Sequence, residues 1–238
     1  MIRILILTFL TSFLNAQHNE LIRYPVNSNI EILYAGDYKK GELDIGTLDK
    51  QWWGLYRKDN VSYIRKVKIR LDKLDADIQY DWEYRVSVED NKNCIILFAG
   101  LDLNARKINF FTDNHIIYNN EEFTFEFGPY HTFLNSELKK TERLGDILRR
   151  DYSINLNYKS EKKFITQQLF LFPCYGEELV INLIWAGDLD NDGKTDFILQ
   201  IPTPPNNELG HSTGLFLSSK ADSEELVKLV AYFISVGC

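Results

Sequence analysis

Short runs of alternating or wholly apolar residues, each stopped by Gly, Pro, Asn or Asp, recur through the chain, and few of the stretches between them have helical length and amphipathicity. A period of two sends successive side chains to opposite faces of an extended strand, and turns at such close intervals leave no room for βαβ crossovers. Val61–Leu71 sets Val61, Tyr63, Val67, Ile69 and Leu71 on one side, opposite mostly cationic residues. Phe123, Phe125 and Phe127 alternate with Thr124 and Glu126, and Tyr152, Ile154, Leu156 and Tyr158 with Ser153, Asn155 and Asn157. Further short, mostly apolar runs occupy 94–98, 164–172, 179–185, 197–201 and 215–217. The pattern predicts about ten to twelve antiparallel strands in an all-β sandwich or barrel-like fold, with at most one or two short helices. Residues 137–149 are the candidate helix, and 137–150 a candidate boundary between two β halves. In the tail, residues 224–236, Leu226, Val227, Leu229, Val230 and Phe233 fit helical spacing, but the end of the segment is β-prone and is expected to be strand.

The N-terminus frames that domain. Arg3, the apolar run Ile4–Leu10 and the sequence Leu14-Asn15-Ala16 before Gln17 have the form of a signal peptide cleaved after Ala16. The apolar run is too short to span a bilayer, and no later segment reaches about 18 uninterrupted apolar residues. The expectation is a secreted or periplasmic protein, residues 17–238, with no transmembrane segment in the mature chain. Loss of residues 1–16 removes Arg3 and no acid, which leaves 26 basic against 34 acidic residues. Such a balance repels phosphate backbones, and the bases of 137–150 are interleaved with acids, so nucleic acid is not an expected partner. Cys94, Cys174 and Cys238 permit one disulfide. Cys94 opens an apolar run, whereas Cys174 follows Pro173 in a predicted turn and Cys238 is the last residue, so the expected pair is Cys174 with Cys238.

One segment carries recognisable chemistry: Asp188-Leu189-Asp190-Asn191-Asp192-Gly193-Lys194-Thr195-Asp196. Carboxylates at positions 1, 3 and 5 of a tight loop converge on one centre, and Ca²⁺ takes six to eight hard oxygens in a flexible cage. Gly193 permits the turn, and the Lys194 carbonyl and the Asp196 carboxylate complete the predicted ligand set of Asp188, Asp190, Asp192, Lys194 and Asp196. Position 12 is Leu199 inside a strand-like run that meets Pro202, which does not fit an EF-hand. The stretch Trp185–Phe197 instead resembles the strand-flanked calcium loop of FG-GAP and VCBS repeats. That resemblance covers the loop alone and implies the same five ligands, in a small secreted bacterial protein with one structural Ca²⁺. An echo upstream, Phe98-Ala99-Gly100 against Trp185-Ala186-Gly187, aligns Leu101, Leu103 and Ala105 with the three aspartates and so lacks the metal donors.

Two other functions compete with the calcium loop. Trp52-Trp53-Gly54-Leu55-Tyr56 would offer aromatic faces to sugars in a carbohydrate-binding or adhesion module if two or more rings were exposed and coplanar. Gly210-His211-Ser212-Thr213-Gly214 matches a hydrolase nucleophile elbow, but a Pro-rich stretch precedes it, a strand-like run comes after it, and no His lies beyond Ser212. The leading expectation is a non-catalytic secreted protein with a structural calcium loop.

Overall fold

The computed structural model describes residues 29–75, 81–127, 130–175, 180–202 and 211–235. In chain order its strands are β1 (Glu31–Leu33), β2 (Gly36–Lys39), β3 (Trp52–Lys58), β4 (Val61–Val67), β5 (Arg70–Lys73), β6 (Trp82–Ser87), β7 (Cys94–Ala99) and β8 (Arg106–Ile108). They continue as β9 (Phe110–Tyr118), β10 (Glu122–Phe127), β11 (Tyr130–Leu144), β12 (Ile147–Lys159), β13 (Phe164–Tyr175), β14 (Val180–Gly187), β15 (Asp196–Pro202), β16 (His211–Leu217) and β17 (Lys228–Ser235). The helices among the described residues are three short 3-10 turns, at Ile45–Asp49, Asn91–Asn93 and Ser218–Lys220. None is long and apolar enough to cross a membrane.

The strands form four antiparallel sheets, none closed into a barrel, ordered β1-β7-β3-β4-β8, β10-β11-β12-β13, β17-β16-β15-β14-β9 and β2-β6-β5. Three apolar cores join them in a stack. Leu134, Tyr152, Ile154 and Phe170 of the β10–β13 sheet pack on Leu183, Phe197, Leu199 and Phe216 of the β14–β17 sheet. The other face of that second sheet, with Trp185, Ile198 and Leu215, packs on Trp53, Leu55, Ile96 and Phe98. The far side of the β3–β7 sheet, with Trp52 and Leu97, packs in turn on Tyr38 and Val86 of the small β2-β6-β5 sheet.

Two of the four layers are therefore buried on both faces, which explains why 94–98, 180–185 and 197–201 read as mostly apolar runs. The same fact corrects the expected register of 61–71. Its fully buried side chains are Ser62 and Ile64, and Ser62 is accommodated because Trp185 Nε1 donates to its Oγ at 3.2 Å. Val67, Ile69 and Leu71 pack against the core on the opposite side, and the run breaks between β4 and β5.

The helix expected at 137–149 is replaced by the ends of β11 and β12, which pair down to Leu144 opposite Ile147 across a two-residue turn at Gly145-Asp146. Gly145 has φ +63°, as such tight hairpin turns require. Opposite charges face each other across the pair, Glu142 with Arg149 and Lys140 with Asp151, so the charge interleaving serves a ribbon and not a helix. Pro173 and Cys174, expected in a turn, belong to β13, opposite Asp151 and Arg150. Since β13 is an edge strand, a proline is tolerated there. The tail resolves as strand, β17, and its helical spacing reflects two cores: Leu229 joins one and Val230 with Ala231 the other. Cys94 is a half-buried free thiol, and the Cys174–Cys238 pairing depends on Cys238, which lies outside the described residues.

Candidate metal centre

Strand β14 ends at Gly187, where a Cβ would stand 2.5 Å from the Trp185 ring and 2.6 Å from the Asn109 carbonyl, so only glycine fits. The chain leaves through Asp188, whose N–H donates to the Asn109 carbonyl at 3.1 Å. Left-handed backbone at Asn191 (φ +69°) and Gly193 (φ +81°) folds the loop back towards β15. Leu189 anchors it: its side chain is wholly buried in the core shared by the β3–β7 and β14–β17 sheets, and its carbonyl accepts from Arg106 Nη2 at 2.6 Å.

Around that anchor the acids turn inward. Asp188 accepts the Asp192 N–H on Oδ1 and the Gly193 N–H on Oδ2, both at 3.1 Å. Asp196, fully buried, accepts the Leu189 N–H on Oδ2 and the Ser218 N–H on Oδ1, each at 2.8 Å. The Ser218 hydroxyl lies 2.9 Å from Asp196 Oδ1 and 3.0 Å from Asp192 Oδ2, and its single proton serves one of them at a time. The Ser219 hydroxyl donates to Asp190 Oδ2, while Asp190 Oδ1 is buried with no hydrogen-bond partner. Oxygens of Asp188, Asp190 and Asp196 all lie within 4.8 Å of one another.

Such a group could hold a metal ion. Burial pushes Asp196 up to about 8, and the charge of Asp190 adds to the rise, against the opposing hydrogen bonds from Ser218 and Leu189. Asp188 is also raised, first by burial, with hydrogen bonds from the Gly193 and Asn191 backbone opposing. Two buried carboxylates with a third alongside are costly unless a proton or a cation intervenes. The donors are all hard oxygens, the chemistry of Mg²⁺, Ca²⁺ or Mn²⁺.

Three of the five predicted ligands thus meet. Asp192 is exposed and outside the trio, where it caps the loop by accepting the Lys194 N–H at 2.8 Å. Lys194 is an exposed loop residue. Both flanks are strands and Leu199 is buried in β15, so no carboxylate occupies the twelfth position of an EF-hand. No family model matches this chain, and no curated protein or solved structure matches it.

Ser218, Ser219, Arg106 and Asn109 carry no signature in the sequence that marks them for this site. They join it through tertiary pairing: Phe197 opposite Phe216 brings the end of β16 alongside Asp196, 22 residues away in the chain. A serine doublet after the apolar run 215–217 is the only local signal.

The other two sequence candidates sit elsewhere. Trp52, Trp53 and Tyr56 are 1%, 4% and 0% exposed, so these rings are core and present no face to a sugar. Ser212 is buried near the start of β16, opposite Ile201 and Ile234, and hydrogen-bonds to Tyr232, whose hydroxyl is raised by burial; a strand, not a strand-to-helix elbow, carries it.

Proposed function

We propose that the β14–β15 loop is a structural calcium site in a secreted, non-catalytic β protein. The observation that carries this is the trio Asp188, Asp190 and Asp196, whose oxygens converge while Asp190 Oδ1 stays buried and unpaired. Ca²⁺ is favoured because it accepts irregular oxygen cages, whereas Mg²⁺ demands near-ideal octahedral geometry. The Lys194 carbonyl and Asp192 belong to the ligand set by position in the loop pattern, and the resemblance to FG-GAP and VCBS loops supports that assignment. The signal-like sequence Arg3 to Ala16 supports export, and extracellular calcium modules typically bind at about 10⁻⁴–10⁻³ M. The role of the ion is to join β14, β15 and the Ser218-Ser219 corner. Melting curves over a calcium series test it. The melting temperature rises with calcium in the wild type and stays flat in Asp190→Ala; a flat wild type, or an equal rise in both, refutes the assignment.

A further inference from the structure

Beside the loop, between the β10–β13 and β14–β17 sheets, lies a cavity of about 260 Å³. Its lining includes the apolar side chains of Leu156, Phe197, Leu226 and Val227 together with four hydroxyl-bearing residues. Its lining also includes Lys194, which forms no ion pair among the described residues, and Glu225.

The cavity is held open by hydrogen bonds that do not depend on an occupant. The buried Gln167 amide is spent on one wall: Oε1 accepts from Leu226 N at 2.7 Å and Val227 N at 3.1 Å, and Nε2 donates to the Val227 carbonyl at 2.7 Å. Two further lining residues are fixed by the Lys194 N–H on Asp192 and by the Ser218 N–H on Asp196. Glu225 is set in its turn by accepting the Asp222 N–H at 3.1 Å. A preformed site loses little entropy on binding.

Its volume falls just below the range of about 300–1,000 Å³ typical of drug-sized ligands, so the occupant is small. A purely apolar molecule would leave both rim charges unused. A lone carboxylate would meet Glu225, and a lone amine would meet Lys194, so the rim selects against either single charge. A zwitterion with an apolar body satisfies all three features.

We propose that this cavity binds a free hydrophobic α-amino acid, with its side chain on the apolar part of the lining, its carboxylate towards Lys194 and its ammonium towards Glu225. The inference stands on the cavity and its charges; Lys194 and Ser218 also belong to the metal loop, and its test reads head-group selectivity rather than calcium.

Isothermal titration in a fixed calcium buffer tests it, with L-leucine and L-phenylalanine as probes, N-acetyl-L-leucine lacking the ammonium and L-leucinamide lacking the carboxylate. At least one free amino acid binds saturably, and the two derivatives of leucine bind about ten-fold more weakly or worse. Lys194→Gln, which keeps the backbone carbonyl, weakens the free amino acid and removes the penalty on leucinamide. Glu225→Gln, which keeps the acceptor for Asp222, removes the penalty on N-acetyl-leucine. Circular dichroism establishes that both variants fold, which these exposed or half-buried positions favour. No saturable binding of either amino acid up to about 10 mM, or affinities indifferent to both head groups and both variants, overturns the proposal.

Discussion

Strands β7 and β14 each lead into a corner at an Ala-Gly pair, and the two corners are inverted in polarity. After Gly100 the chain runs Leu101-Asp102-Leu103, with Leu103 buried, Leu101 half-buried on the same core and Asp102 exposed. After Gly187 it runs Asp188-Leu189-Asp190, with a single leucine in that same core and carboxylates on either side turned towards one another. The turns differ too. Gly100 is left-handed (φ +79°) and a Cβ there would stand 1.8 Å from the Asn29 carbonyl, whereas Gly187 is confined by Trp185 and Asn109 without a positive φ. The first corner needs only apolar burial. The second spends stability on buried charge, which is retained where something compensates it.

Four expectations sharpen this contrast. Truncating either plug should cost about 3 kcal/mol in urea unfolding, as large-to-small changes at buried leucines do. Leu103→Ala should leave the calcium response intact and Leu189→Ala should weaken it, since Leu189 holds both Asp196 and Arg106 through its backbone; equal responses would mean that the plugs are interchangeable. Next, a chelator should remove about 2.7 kcal/mol of stability from protein held at calcium 100-fold above its dissociation constant, and nothing from Asp190→Ala.

The third concerns pH in chelator. Asp196 ionises near 8 when folded and near its ordinary value of 3.8 when unfolded, so the native state holds the extra proton between those limits. Its contribution to stability is complete below about pH 4 and is lost as pH rises towards 8. Urea midpoints at pH 5 and pH 9 should therefore fall in chelator and fall less in calcium; parallel falls would show that no cation replaces the proton. The smallest effect is Asp102→Ala, within about 0.5 kcal/mol and with an unchanged calcium response, as befits an exposed acid outside the site.

Much of this architecture is legible in the sequence because strand patterning is local. The alternation at 152–158 places Tyr152, Ile154 and Leu156 in one core with Phe123, but the intervening Ser153, Asn155 and Asn157 are buried too, with Asn155 donating to Ser153 and Asn157 to Asn135. What the pattern conceals is stacking: a strand buried on both faces has no polar side to mark its register, so Ser62 faces inward without a local sign. The ribbon at 137–150 misleads for a related reason, since interleaved charges suit a solvated helix and a cross-strand ladder equally. In the site, Asp188, Asp190 and Asp196 are readable from spacing, whereas the capping that Asp192 also performs, with its carboxylate meeting Lys194 N and Ser218, is not. The serines lie beyond reach, because their contribution depends on how β15 and β16 pair.

Equilibrium dialysis of the purified protein against radioactive calcium, with Asp190→Ala alongside, measures the central quantity without passing through stability. One ion per wild-type chain, and none on the variant at the same free calcium, is the predicted result. A wild-type chain that retains no calcium at millimolar concentration, or a variant that retains as much, would contradict the account.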